Sequence, residues 1–99
     1  MSHLFKLRPA ALADVRQIWD SIAEKASVET ADRFLANLND ACRLLGEMHG
    51  VGHRRPDLTD RTMLFWTVDD YYIIYHPETI PLEVERIIYG GRDLKKELS

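Results

Sequence analysis

The chain has a single cysteine, Cys42, so no disulfide can form within it. It also lacks a surplus of basic residues: 13 Lys and Arg stand against 16 Asp and Glu, a formal net charge of −3. A protein that coats nucleic acid relies on excess cations to neutralise phosphates. Any such contact here has to come from a local patch. No stretch approaches the roughly 18 consecutive apolar residues of a membrane span. The opening MSHLFKLRPAAL holds no apolar run of the kind a signal peptide carries. Internal repeats, low-complexity tracts and linker-like shifts in composition are missing as well. These absences predict a cytoplasmic protein forming one domain over residues 1–99.

What is present is ordinary for a folded chain: 99 residues, 45% hydrophobic and 29% charged. A chain of this size buries roughly two-thirds of its unfolded surface, enough for one core. A short run from Leu4 to Leu7 stops before Pro9, which suits the first turn of a helix and biases its predecessor to extended geometry. From there Leu12, Val15, Ile18, Trp19, Ile22, Ala23 and Ala26 recur at helical spacing, opposite Asp14, Arg16, Gln17, Asp20 and Glu24. Ser27 is placed to cap a second helix, with Glu29 near the positive end of its dipole. The second stripe runs Ala31, Phe34, Leu35, Leu38, Ala41, Cys42, Leu45 and Met48, and Gly50 and Gly52 end it. Helices joined so tightly must pack antiparallel, giving a helical hairpin over residues 9–49.

The second half supplies the strands. TMLFWTV and YYIIYH are β-branched and aromatic runs joined by Asp69 and Asp70, which suit a tight turn. PETIP makes another turn, LEVERIIYG returns as a strand, and RDLKKELS forms a short helix or a tail packed through Leu94 and Leu98. The expectation is an α+β fold of order β-α-α-β-β-β with a short C-terminal element. In it a mostly antiparallel sheet is covered on one face by the helical hairpin. The opposite face, left to solvent, would need a partner for any apolar side chain it bears.

RIIYGGRDL, residues Arg86 to Leu94, is the most pointed stretch, and it carries a resemblance. Together with LRPAALADVRQIWDSIA and ADRFLANLNDACRLLGEMHGVGHRRPDL it resembles the RelE/ParE superfamily of bacterial toxins, and within it the ParE, or plasmid-stabilisation, branch. Members tend to close with a strand bearing Arg, apolar residues, a small pair and Arg-Asp; here Arg86, Ile87, Ile88, Gly90, Gly91, Arg92 and Asp93 fill those places. The resemblance implies a RelE/ParE-like fold, no cofactor, and a toxin held inactive by a cognate ParD-like antitoxin. That antitoxin would fold over a groove and free sheet edge. It also implies two activities: poisoning of DNA gyrase by binding, or ribosome-dependent mRNA cleavage as in the RelE branch. A third outcome is a homologue that only binds its antitoxin.

Metal-free RNA cleavage needs an acid or base and cations on the phosphate. In the RelE branch basic residues and a tyrosine near the C-terminus serve; here no tyrosine follows Arg92, and Asp93 is acidic. The gyrase-directed reading is therefore preferred, with Arg61, Arg86 and His76 as the set an endonuclease would use. Arg86, Arg92, Lys95 and Lys96 form the expected target-binding surface. His53, Arg54, Arg55 and Trp66 form the expected antitoxin contacts, the first three from the basic loop GVGHRRPDLTDR.

Each has a plainer alternative. Strict alternation sets Arg86 on the face of Val84 and Ile88, either paired with an Asp or Glu or exposed to a partner. Gly90 and Gly91 permit a bend that aims Arg92 and the tail away from the core, or Arg92 simply pairs with Asp93 or Glu97. The basic loop is otherwise a solvated loop. His49 and His53 are separated by glycines, and His3 and His76 lack ligand partners nearby, so no metal is expected. Cys42, on the buried stripe, is expected to be inert packing.

Overall fold

A computed structural model describes residues 4–98. The element order is β1 (Phe5–Leu7), α1 (Pro9–Lys25), α2 (Val28–Glu47), β2 (Leu64–Val68), β3 (Tyr71–His76), β4 (Leu82–Tyr89) and α3 (Leu94–Leu98). The β-α-α-β-β-β expectation holds, with the short C-terminal element a helix. Pro9 sits in the first turn of α1, where its missing N–H has no helical partner to lose. Ser27 caps α2, its Oγ accepting from the Thr30 N–H at 3.1 Å.

The sheet has the order β1-β4-β3-β2. β2, β3 and β4 run antiparallel, whereas β1 pairs parallel to β4 through Phe5↔Leu82, Lys6↔Glu83 and Leu7↔Val84. β1 covers only the first part of β4, so the edge of β4 beyond Val84 has no neighbouring strand. Asp69 and Asp70 join β2 to β3; Asp69 takes φ 51°, a left-handed conformation that Asp tolerates better than most residues.

A bulge falls in β4. Ile74 faces Arg86 but Tyr75 faces Val84, leaving Glu85 as the extra residue. Its effect is to reverse the sense of alternation: Leu82, Val84 and Ile87 join the core beneath the helices, while Ile88 joins a second cluster on the far face. Strict alternation had set Val84 and Ile88 together; the extra residue separates them.

Between sheet and hairpin lie Ala11, Val15, Phe34, Leu38, Cys42, Leu45, Ile73 and Tyr75. The helices settle with narrower stripes than the sequence spaced: Ala11 rather than Leu12 is buried, and Leu12, Leu35 and Met48 remain exposed at 42%, 36% and 53%. Trp19 lies at the outer seam of the hairpin, its indole N–H donating to Asp32 at 3.0 Å.

The far face is not left open. Met63, Phe65, Ile74, Ile88 and Leu94 form a buried cluster there, with Leu58, Tyr72 and Leu98 packed against it. After β4 the chain turns back and lays α3 on this face, so the tail does not project from the core. The glycine pair serves by being small, since no glycine takes positive φ. A Cβ on Gly91 would stand 2.4 Å from the Tyr89 ring.

Two close approaches generate tests. A Cβ on Gly52 would lie 2.6 Å from the Tyr75 hydroxyl and 2.9 Å from the Phe65 carbonyl oxygen, whereas Gly50 has nothing within 4 Å. Urea unfolding should show Gly52→Ala destabilised by about 2 kcal/mol and Gly50→Ala nearly unchanged; equal effects would contradict the packing described. Cys42 is fully buried, and burial pushes its thiol up to about 12. A thiol reagent should label it only at the rate of global unfolding.

Candidate functional site

The unpaired stretch of β4 faces α1, and a groove of about 560 Å³ runs between them. Ile18, Ile22, Tyr71 and Ile87 give it an apolar lining, and Lys25 and Arg92 add positive charge. The first turns of α1 fix its position, through one carboxylate. Asp14 Oδ2 accepts from Arg86 Nε at 2.7 Å and Oδ1 accepts from Nη2 at 3.0 Å. The same Oδ2 also accepts the Ile87 backbone N–H at 3.0 Å. An edge N–H that would otherwise be left without a strand partner is thereby satisfied by a helix. The pairing raises the Arg86 guanidinium above its usual range, its hydrogen bond to Asp14 being the leading cause, against burial.

Glu97 on α3 approaches this arginine as well, at 4.0 Å from Arg86 Nη2 and 3.5 Å from Arg92 Nη2. Arg86 and Arg92 are therefore brought together around one carboxylate, Arg86 half-buried and Arg92 exposed. Lys95 and Lys96 lie on the exposed side of α3, and the Lys96 backbone N–H donates to Asp93 at 3.2 Å.

A second charged cluster occupies the other end of β4. Arg8 donates from Nε to Glu83 and from Nη1 to Glu85, both at 2.7 Å. His76, buried at 8% exposure, holds Glu85 through Nε2 at 2.7 Å and stands 3.4 Å from Glu78 through Nδ1. The hydrogen bond from His76 is the first cause holding Glu85 below the ordinary glutamate value of 4.5, opposed by burial and aided by the charges of Arg8 and Arg61. Glu83 is lowered chiefly by its hydrogen bond from Arg8. Arg61 and His76 thus gather near Glu85, while Arg86 turns to Asp14.

The basic loop divides. Arg55 is clamped by Asp57, at 3.0 and 2.9 Å, and by the Tyr72 hydroxyl at 3.2 Å, with its guanidinium 5.8 Å from the Tyr72 ring centre. These bonds raise its ionisation well above the ordinary arginine range, Asp57 first, and they tie the loop to the far face. His53 exchanges backbone hydrogen bonds with Phe65 at 2.9 and 2.8 Å, covering part of the β2 edge, and its ring stacks on Trp66 at 6.4 Å. Trp66 packs partly buried on the helix side. Arg54 is exposed and has no ion pair among the described residues. His3 lies outside the described residues.

Asp14, Arg8, Glu83 and Glu85 organise these sites and were not singled out by sequence, whereas Glu97 was one of the two partners expected for Arg92 and stands 3.5 Å from it. One signal was available: an arginine in an apolar strand demands a carboxylate, but spacing alone does not say which.

The comparisons with known proteins agree with this architecture. Residues 5–94 match the family described as ParE toxin of type II toxin-antitoxin system, parDE. No curated protein matches. Among solved structures, the chromosomal ParDE TA system from P. aeruginosa is similar in fold, with a TM-score of 0.71 and 18% identity, covering 89% of this chain and 98% of that one.

Two measurements probe the site. Breaking the Asp14–Arg86 pair from one side strands a half-buried partner, so Arg86→Met and Asp14→Ala should each destabilise by about 2 kcal/mol. The double variant should be less destabilised than their sum; additivity would mean the pair is not coupled. Because Glu85 is held below 4.5 in the folded state, its contribution is present above that value and is lost as pH falls through the lower folded range. Glu85→Gln should flatten the acid limb of a stability–pH profile, and an unaltered limb would count against the network. The family match over residues 5–94 leads to one statement: this chain belongs to the ParE toxin family of type II toxin-antitoxin systems.

Proposed function

We propose that the chain is a toxin that acts by binding: it poisons DNA gyrase in the cytoplasm and is held inactive by a ParD-like antitoxin. Family membership supplies the class. The observation that favours binding over catalysis is the state of Arg86, whose guanidinium is spent on both oxygens of Asp14. His76 is likewise engaged with Glu85 and buried. Phosphodiester cleavage needs a cation and an acid–base group free to meet the substrate. Arg61 alone of that set stands exposed without a side-chain ion pair among the described residues.

On this reading Arg92, with Lys95 and Lys96 on α3, forms the target-facing tip, and Arg86 supports it from behind through Glu97. The antitoxin lies along the groove between α1 and the unpaired edge of β4. There an extended segment meets a strand edge with no neighbouring strand beyond Val84 and an apolar lining. The P. aeruginosa neighbour is itself a ParDE system. His53, Arg54 and Trp66 flank the other sheet edge and offer a second contact for the same wrapped partner.

The deciding assay is DNA supercoiling by gyrase in the presence of the purified chain. Loss of supercoiling with accumulation of cleaved DNA is expected, and Arg92→Ala should weaken it at least tenfold while leaving the melting temperature unchanged. An inert protein at high excess, with mRNA cut on ribosomes, would give the function to Arg61 and its neighbours instead. Gln17→Trp, on the groove wall, should weaken antitoxin binding without loss of fold; unchanged affinity would move the antitoxin elsewhere.

A further inference from the structure

β4 forms one wall of the groove, and its backbone groups alternate in direction along the strand. The Gly90 N–H donates to the Asp70 carbonyl at 2.8 Å, and the register sets Tyr72 opposite Ile88 and Tyr71 opposite Tyr89. In an antiparallel pair every second residue turns both its backbone groups to the partner strand. Ile88 and Gly90 therefore turn theirs toward β3 and its leading turn, while Ile87 and Tyr89 turn theirs to the open edge. Two of these four outward groups are taken. Asp14 accepts the Ile87 N–H at 3.0 Å, and the Tyr89 carbonyl accepts the Arg92 N–H at 3.1 Å. The Ile87 carbonyl and the Tyr89 N–H have no partner among the described residues.

This pattern distinguishes two directions of pairing. An antiparallel guest exchanges both bonds with one residue at a time. Against Ile87 and Tyr89 it would make half of each exchange and leave two of its own groups facing taken partners. A parallel guest needs only a carbonyl and the N–H two positions further on, both bonded to the same guest residue. The Ile87 carbonyl and the Tyr89 N–H are such a set. β1 already meets β4 in parallel: the Leu82 N–H donates to the Leu4 carbonyl and the Arg8 N–H donates to the Val84 carbonyl. After Arg8 the chain turns into α1, and the place beside Ile88 is left without a strand.

We propose that this edge takes a segment of the antitoxin as a strand parallel to β4 and in line with β1, one guest residue opposite Ile88 making both bonds. The inference rests on the antitoxin occupying the groove and adds the polarity and chemistry of the segment. The residues flanking the central one stand opposite Ile87 and Tyr89, on the side lined by Ile18, Ile22 and Tyr71, so they are apolar. The segment runs toward Arg92, which is tied to the end of β4 by its bond to Tyr89 and leaves its guanidinium half in solvent. Lys25, in the last turn of α1, adds a second cation to the groove and has no ion pair among the described residues. Acidic residues therefore belong at the C-terminal end of the segment.

The test titrates the ¹⁵N-labelled full chain with two synthetic peptides of equal composition and opposite order, acetyl-SVTVTVDE-amide and acetyl-EDVTVTVS-amide. The first, with its acidic end C-terminal, should bind about tenfold more tightly. Its binding should slow hydrogen exchange of the Tyr89 amide and leave the Ile87 amide, already held by Asp14, unchanged. Equal affinity or preference for the second peptide would overturn the direction. Binding without protection of Tyr89 would overturn strand pairing, as would failure of both peptides to bind at about 1 mM. Gln17→Trp separates this from the groove reading itself: an antitoxin weakened by that change, beside peptides that do not bind, would keep the groove and discard the strand.

Discussion

The carboxylate of Asp14 holds three parts of the molecule in one place. It neutralises the arginine of β4, caps the Ile87 N–H on the unpaired edge, and through Arg86 reaches the acidic side of α3. A charge-assisted, two-point contact of this kind fixes direction as well as distance. α1 therefore cannot slide along the sheet edge without breaking all of it. The groove lies beside this restraint: Asp14 is part of its wall, and Ile18 and Ile22 of the same helix line it together with Ile87 of β4.

The order of the elements was legible because hydrophobic period and turn chemistry agree along the chain: Pro9, Ser27 and the Asp69–Asp70 pair each mark a boundary that the structure keeps. What escaped the reading depended on a single inserted residue or on contacts between distant segments. Glu85 looks like any alternating strand residue, yet as a bulge it moves Ile88 to the far face. Leu94 and Leu98 were visible as packing candidates, but only the far-face cluster of Met63, Phe65, Ile74 and Ile88 explains why α3 returns to the sheet. The same holds for the site. The cationic residues stood out by type, whereas the carboxylate that takes Arg86 out of play, Asp14, lies 72 positions away in sequence.

Two kinds of arginine occur both on β4 with its following turn and in the basic loop before β2. Arg86 and Arg55 are structural, each gripped by an aspartate in a two-point contact. Arg92 and Arg54 are exposed. For a protein of net negative charge, that division matters: attraction of an anionic surface rests on a few side chains rather than on the overall field.

The parallel pairing of β1 with β4 has a consequence in time. Phe5 meets Leu82, so the first strand waits for nearly the whole chain before it has a neighbour. The helical hairpin waits too, since Val84 and Ile87 of the same late strand line its core. Local order can form as the chain emerges, but the sheet closes only once β4 has been synthesised. The groove between α1 and β4 therefore has one wall early and the other last, and it is incomplete on a nascent chain that has not yet released β4.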